Sequence, residues 1–257
     1  MTCWMQKGIS VHRVLFSIGS FDVYSYGFFV ALAFLVCVLL MKKDSERAGI
    51  AFDRVLDCII WTLILGLFGG RILFVVINWR DYIEHPIRIL AFREGGMAFQ
   101  GSLILGIVAS AIVCRVHKVP YLKFLDIMAP YAALGQAIGR IGCFMNGCCY
   151  GRETHSAIHV VFPADGIQRI PVQLYYTFAL SVIYIILLRV RSAQVRDGVV
   201  SCTYLVLFSM VGFFMEFLRA DNPGIFFCLT LSQLIFAGLF LTGIGGLLLI
   251  KKLKIIK

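Results

Sequence analysis

The chain is poor in charge. Only 15% of its 257 residues are Asp, Glu, Lys or Arg, against about 25% in soluble domains, which excludes a surface wetted on all sides. Proline is scarce as well, at 6 residues, and the longest connections, about 78–95 and 148–170, are neither low in complexity nor rich in Pro and Ser, so both read as ordered loops rather than linkers. The absence of an internal repeat removes the inverted-repeat signature of many secondary transporters. The amino-terminal MTCWMQKGISVHRVLFSIGSFDVYSYG has no basic patch running into a short apolar stretch with a small-residue cleavage site. A removable signal peptide is therefore not expected, and the first apolar span serves as the targeting element.

What the chain has in abundance is apolar residues, 60% of the total with 22 Phe. Runs long enough to span a bilayer as helices, roughly 20 residues each, fall at Tyr24 to Met41, Leu56 to Ile77, Gly96 to Arg115, Phe124 to Asn146, Pro171 to Val190, Val199 to Leu218 and Phe227 to Ile250. The third, fourth and sixth are interrupted by Gly or polar residues. The expected architecture is an all-α integral membrane protein of seven transmembrane helices, forming one transmembrane domain over residues 1–257. Lys and Arg collect at Lys42, Lys43 and Arg47, at Arg115, Lys118 and Lys123, and at Lys251, Lys252, Lys254 and Lys257. These flanks share one side of the membrane, so the positive-inside rule puts the carboxy terminus in the cytoplasm and the amino terminus outside. The net charge of +10 needs no nucleic acid: such flanks are attracted to anionic lipid headgroups.

Two basic residues, Arg71 and Arg140, fall inside predicted spans. An arginine near a helix centre costs at least ~2.5 to 3.5 kcal/mol on insertion scales, so it is paired or marks a site. For Arg71, a ligand role and the capping of a structural polar cluster stand level. Arg140 has more company. Gly135, Gly139 and Gly142 make a smooth stripe for close helix packing, and Gln136, Arg140, Cys143 and Gly147 share a neighbouring face. Counted from Phe124 at ~1.5 Å per residue, Arg140 lies about 24 Å into its helix, in the outer part of the hydrocarbon core. Arg71 reaches a similar height. Arg219 closes the sixth span at its outer end with Glu216 one turn before it, while Gln100 and Tyr26 open the third and first spans. Polar groups from five helices thus meet at the level of lipid phosphate.

The stretch GQAIGRIGCFMNGCCYG, Gly135 to Gly151, resembles the signature of the prolipoprotein diacylglyceryl transferases, bacterial membrane enzymes whose pattern centres on G-R-x-G-x-F-x-N-G. SYG at Ser25 to Gly27 is similar to that family's W-Y-G, and GGMAFQG at Gly95 to Gly101 to its G-G-x-x-F-H-G. DIMAPYAALGQAIGR resembles its D-x-x-A-P start, RIPVQLYY at Arg169 to Tyr176 its H-P-x-Q-L-Y-E, and EFLRADNP at Glu216 to Pro223 its E-F-x-R segment. LTLSQ near Gln233 agrees with its last span. The order and distances carry the resemblance along most of the chain.

The resemblance implies seven helices in a bacterial inner membrane with the amino terminus outside. It implies transfer of diacylglyceryl from phosphatidylglycerol to the lipobox cysteine in a prolipoprotein signal peptide, with glycerol phosphate as the other product. A thiolate must attack the glyceryl carbon while an anionic oxygen departs, so the site must hold a phosphate and stabilise its growing charge. A guanidinium suits that task, being planar, bidentate and always protonated, and for the same reason it cannot be the base. Arg140, Arg219, Gln100 and Tyr26 are the expected catalytic groups. Arg140, Gly142, Asn146, Gln173, Arg71 and Glu216 are expected to bind phosphatidylglycerol, with Glu216 orienting Arg219 as an i, i+3 pair does. Neither a cofactor nor a metal is expected.

Departures from the family pattern fall on its titratable groups. Gln100 stands where the family has histidine, Cys143 where it has asparagine, and Cys148 and Tyr176 where it has glutamates. Three readings stay open: activation of the incoming thiol by arginine proximity alone, participation of a Cys148 or Cys149 thiolate, and a paralogue acting on another phospholipid or acceptor. A membrane thiol-redox protein built on Cys143, Cys148 and Cys149 is a further alternative. Against redox or metal chemistry, no C-x-x-C occurs, and His155 and His159 lie four apart only on a loop. Structural thiols come first, a disulfide within the cluster second and a metal third. Cys37, Cys58, Cys114, Cys202 and Cys228 read as small hydrophobes, and Cys3 lies in the amino-terminal arm. His12, His85 and His117 read as surface residues. Asp57 and Asp126 read as carboxylates serving the dipole at the start of their own helices. An anion transporter would want polar groups at several depths, whereas here they cluster at one.

Overall fold

A computed structural model describes residues 14–18, 21–83, 86–90, 96–156, 158–161, 166–220 and 229–255. Cys3, His12, His85 and Cys228 lie outside the described residues. The chain divides into two compact units, Met1–Met41 with Leu125–Lys257, and Lys42–Phe124.

In the larger unit a short antiparallel pair, β1 (Val14–Ile18) and β2 (Phe21–Tyr24), leads into helix α1 (Ser25–Arg47). Helix α5 (Tyr121–Asn146) is followed by a second antiparallel pair, β3 (Val160–Val161) and β4 (Gln168–Arg169), and then by α6 (Val172–Ser192), α7 (Val199–Glu216) and α8 (Leu231–Ile255). The smaller unit holds α2 (Phe52–Ile77), the five-residue α3 (Trp79–Ile83), a 3-10 turn over Pro86–Leu90 and α4 (Phe99–Val116). Helices α1, α2, α6, α7 and α8 are long and apolar enough to cross a membrane, and the shorter α4 is apolar as well. The interrupted third, fourth and sixth runs form continuous helices, because glycine and polar residues at helix–helix contacts cost less than an unsatisfied backbone would in lipid. This is a multi-pass membrane protein, with two short antiparallel strand pairs that hydropathy could not reveal.

Helices α2 and α4 meet backbone to backbone. A Cβ at Gly69 would run into the Gly101 carbonyl oxygen, and one at Gly101 into that of Gly69, so only glycine fits at either position. Beside this contact the Ala98 amide donates to the Gly70 carbonyl over 3.0 Å. Asp57 of α2 meets the His117 ring at 3.5 Å.

In the larger unit the packing stripe of α5 is alanine as much as glycine. Ala129, Ala133 and Ala137 recur one turn apart and lie in one core with Val172, Tyr176, Leu180, Ile183 and Leu187 of α6 and Val200 of α7. Of the three glycines expected to form one packing stripe, two face a single helix and the third does not. Gly135 faces the Cys37 thiol and Gly142 faces Phe29 and Tyr26, all on α1, while nothing lies within 4 Å of a Cβ at Gly139. Asp126 does not serve its own helix. Its carboxylate accepts the Gly198 amide at 2.7 Å and the Ser201 amide at 2.8 Å, capping α7 from a neighbouring helix.

Candidate active site

Arg140 lies in the last third of α5, on the helix that Ala137 and Phe144 anchor in the core. Its guanidinium carbon stands 4.2 Å from the centre of the Tyr176 ring. Tyr176 is 1% exposed, so the ring is a fixed platform. Among the described residues no hydrogen-bond or ion-pair partner engages the Arg140 guanidinium, and its forked donors are left for an anion.

One turn before Tyr176 on α6, Gln173 is fully buried. Its Nε2 donates to the Cys148 carbonyl at 2.7 Å, while its buried Oε1 accepts no hydrogen bond from the described residues. Tyr26 opens α1 across from Gly142: a Cβ at Gly142 would stand 2.9 Å from that of Phe29 and 3.5 Å from the Tyr26 Cα. The Tyr26 phenol is within electrostatic reach of Arg140 and of the Cys143, Cys148 and Cys149 thiols. Asn146, the last residue of α5, lies against the Cys148 thiol.

Glu216 and Arg219 form the far wall. Glu216 is 3% exposed, accepts from the Thr230 hydroxyl at 3.2 Å and faces Arg219 Nε at 3.9 Å. Thr230 in turn caps α8: the Gln233 amide donates to its Oγ1, and its own amide donates to Gln233 Oε1. This is a capping box, whose Thr-x-x-Gln spacing within LTLSQ was readable in the sequence. The loop after α5 is sewn to the same end of α7. The Arg152 amide donates to the Leu218 carbonyl at 2.9 Å, and Arg152 Nε donates to the Arg219 carbonyl at 3.1 Å. Gly151 bridges to Arg219 and Glu153 to Arg169, so this loop runs as a strand-like strip between the end of α7 and β4.

Cys143, Cys148 and Cys149 place their sulfurs within 4.8 Å of one another, and all three are free thiols. Beyond the end of α5, Cys148 is held below the ordinary thiol range by hydrogen bonds from Cys143 and Cys149, and further by Asn146 and Arg140. His155 and His159 stand outside this cluster, and His159 pairs with the Ser156 carbonyl in its own loop. Gln136 is occupied elsewhere, donating to the Tyr204 hydroxyl at 2.8 Å.

The smaller unit holds the other two expected residues. Arg71 is 2% exposed, and it donates to the carbonyls of Ile89 at 2.8 Å, Arg88 at 2.6 Å and Gly96 at 2.9 Å, with the Tyr82 ring at 5.5 Å. Of its two readings these bonds favour the capping of a structural polar cluster. Gln100 is exposed in the first turn of α4. Sequence reasoning missed Tyr176 as a platform and Thr230 as the partner of Glu216. The i, i+3 spacing of Gln173 and Tyr176 puts both on one face of α6 and was the available signal for the first.

Fold and site together define a multi-pass membrane protein with an arginine set on an aromatic ring and, among the described residues, no acid paired with it. The sequence profile of the prolipoprotein diacylglyceryl transferases matches residues 13–249, and the chain belongs to that family. It is 36% identical over 248 residues to phosphatidylglycerol–prolipoprotein diacylglyceryl transferase 2 of Clostridium perfringens (strain 13 / Type A), covering 94% of this chain and 96% of the relative. The corresponding transferase of Clostridium tetani is 33% identical over 238 residues, covering 90% and 94%. That of Clostridioides difficile is 36% identical over 210 residues, covering 82% and 84%.

Proposed function

We propose that this chain transfers the diacylglyceryl group of phosphatidylglycerol to the lipobox cysteine of prolipoproteins, releasing glycerol phosphate. The observation that carries the reading is Arg140, supported by the Tyr176 ring with its donors unengaged among the described residues. A carboxylate partner would neutralise the guanidinium, whereas a ring face stabilises the cation and leaves its net charge intact. The phosphate of phosphatidylglycerol docks on that fork. As the sulfur attacks the glyceryl carbon and the carbon–oxygen bond breaks, charge grows on the departing phosphate oxygen, and a fixed arginine stabilises it most at that moment. Arg219, held by Glu216, faces the headgroup or the leaving group. The buried Gln173 Oε1 is the acceptor for a glycerol hydroxyl, and Tyr26 and Asn146 position the reactants. Gly142 keeps α1 close enough to bring Tyr26 in. Arg71 acts indirectly by fixing the segment ahead of α4, from which Gln100 contributes a hydrogen-bonding amide.

In this reading the chain is one transmembrane domain of seven spans in the bacterial inner membrane, with the amino terminus outside, the carboxy terminus cytoplasmic and the signal peptide of the prolipoprotein as the second substrate. Helices α4 and α5 complete the seven: α4 is apolar but short, and α5 carries the polar residues of the site. Purified protein incubated with phosphatidylglycerol and a lipobox peptide should yield the diacylglyceryl thioether by mass spectrometry, and Arg140→Ala should slow its formation by roughly a hundredfold or more. No thioether from folded protein with any lipobox peptide would refute the assignment and leave a paralogue with another substrate.

A further inference from the structure

Three thiols converge at the end of α5, and the backbone is bent to bring them together. Side chains of adjacent residues in extended chain point apart, yet Cys148 and Cys149 both turn toward Cys143. The bend is made by two left-handed residues, Gly147 at φ 70° and Cys149 at φ 59°. Glycine adopts that conformation freely, but cysteine does so at a cost, and such backbone strain concentrates at functional sites. The turn is locked from outside, since Gln173 holds the Cys148 carbonyl and the Cys148 amide donates to the Cys143 carbonyl at 3.1 Å.

We infer that Cys143, Cys148 and Cys149 form a three-thiolate site for one zinc ion, whose fourth position takes the sulfur of the incoming lipobox cysteine. Sulfurs around a tetrahedral zinc, each at ~2.3 Å, lie roughly 3.8 Å apart. Sulfurs already within 4.8 Å of one another reach that arrangement by closing about 1 Å. Three protein ligands with one open position are the pattern of catalytic rather than structural zinc. Three thiolates and one divalent ion carry a net charge of −1, and Arg140 and Arg219 stand within electrostatic reach of Cys148 and Cys149.

The inference rests on the transferase reading and supplies what that reading lacks, a means of activating the acceptor thiol. A thiol that coordinates zinc is deprotonated outright, and the thiolate is the nucleophile. On binding, the acceptor releases its proton to water. Its sulfur then forms the bond to the glyceryl carbon, the carbon–oxygen bond to the phosphate breaks, and the electron pair leaves on the phosphate oxygen beside Arg140. The product thioether is neutral and a weaker ligand, so it departs from the ion. Nothing is oxidised or reduced, and no histidine base is required.

The test uses the full-length protein in detergent, reduced and stripped of metal, then loaded with Zn²⁺ or with Co²⁺ as a spectroscopic substitute. Elemental analysis should find one zinc per chain, lost in Cys143→Ser, Cys148→Ser and Cys149→Ser and kept in Cys202→Ser. With Co²⁺ the near-ultraviolet sulfur-to-metal band should grow when a lipobox peptide is added, and stay unchanged with the same peptide carrying serine. Chelation should slow thioether formation on the order of a hundredfold, with rescue by Zn²⁺. Absence of a stoichiometric ion, a band indifferent to the cysteine peptide, or a disulfide within the cluster of active protein would each overturn the inference. Thioether formation undiminished by chelation would also overturn it while leaving the transferase reading standing. A cysteine-dependent band without any thioether would support the metal site and refute the transferase.

Discussion

The guanidinium of Arg140 rests 4.2 Å above the ring of Tyr176, on a helix pair that buries the tyrosine to 1% exposure. The ring is buried while the Arg140 side chain stays partly exposed, so the contact contributes about 1 kcal/mol. It does so through the face of the ring, so the hydroxyl is secondary. Tyr176→Phe should therefore retain transfer close to wild type, and Tyr176→Leu should lose ~5-fold in kcat/KM for phosphatidylglycerol. Arg140→Lys should lose more, because a point charge cannot present two donors to one phosphate. Removal of the charge in Arg140→Ala should cost about 3 kcal/mol or more in the transition state. Steady-state kinetics of the four proteins checks the order.

Arg71 gives a contrasting prediction. It donates to three backbone carbonyls, so Arg71→Met leaves those acceptors without their charged donor, a loss of about 3 kcal/mol in stability. Denaturation in mixed micelles should show that loss. If Arg71 instead binds lipid directly, stability will hold and the KM for phosphatidylglycerol alone will rise.

Asp126 caps α7 with both carboxylate oxygens. Asp126→Asn keeps one acceptor, and Asp126→Ala keeps none. Stability should fall in that order, with about 1–2 kcal/mol lost in the alanine variant. Because the cap stands at the end of α7 opposite Glu216, the kcat of the folded fraction should be unchanged in both.

The apolar helices, five of them long enough to cross a membrane, and the unusual setting of Arg140 were legible in the sequence for physical reasons. Lipid demands long apolar helices, and an arginine inside one is too costly to be idle, so hydropathy alone pointed to Arg140. What hydropathy cannot show is which partner an intramembrane arginine finds. Arg71 and Arg140 looked alike in sequence, yet one is engaged by the carbonyls of a loop and the other by a ring. Carbonyls are contributed by every residue, so no pattern of side chains announces them. Asp126 was misplaced for a related reason: a carboxylate near one helix start reads as its own cap until the neighbouring helix is seen. The cysteines were legible as a cluster, but their convergence depends on the left-handed turn at Cys149, which residue type does not suggest.

Glu216 divides its two oxygens between Thr230 and Arg219. Glu216→Gln keeps an acceptor for the Thr230 hydroxyl and loses only the charge, so it should cost less than tenfold in kcat/KM. Glu216→Ala releases both neighbours and should approach the loss in Arg219→Ala. A double-mutant cycle of Glu216→Ala with Arg219→Ala should show coupling of about 1–3 kcal/mol, since both act through one contact. Additive effects would separate the glutamate from the arginine.

Substitution of Gln100 tests where the acceptor thiol loses its proton. An amide has no proton to exchange near neutral pH, so the contribution proposed for Gln100 is confined to a hydrogen bond. If the thiol is activated at the cysteine cluster, Gln100→Ala should reduce kcat by less than ~10-fold, the value of one neutral hydrogen bond of about 1 kcal/mol. Its pH–rate profile should keep the wild-type shape. Gln100→His introduces a group that titrates near a pKa of about 6.5. If activation occurs elsewhere, that ionisation adds no rate, because the thiol already arrives as a thiolate. A faster Gln100→His enzyme with a new ionisation in that range would mean that the start of α4 is where a base is wanted, and that the three cysteines do not supply the nucleophile.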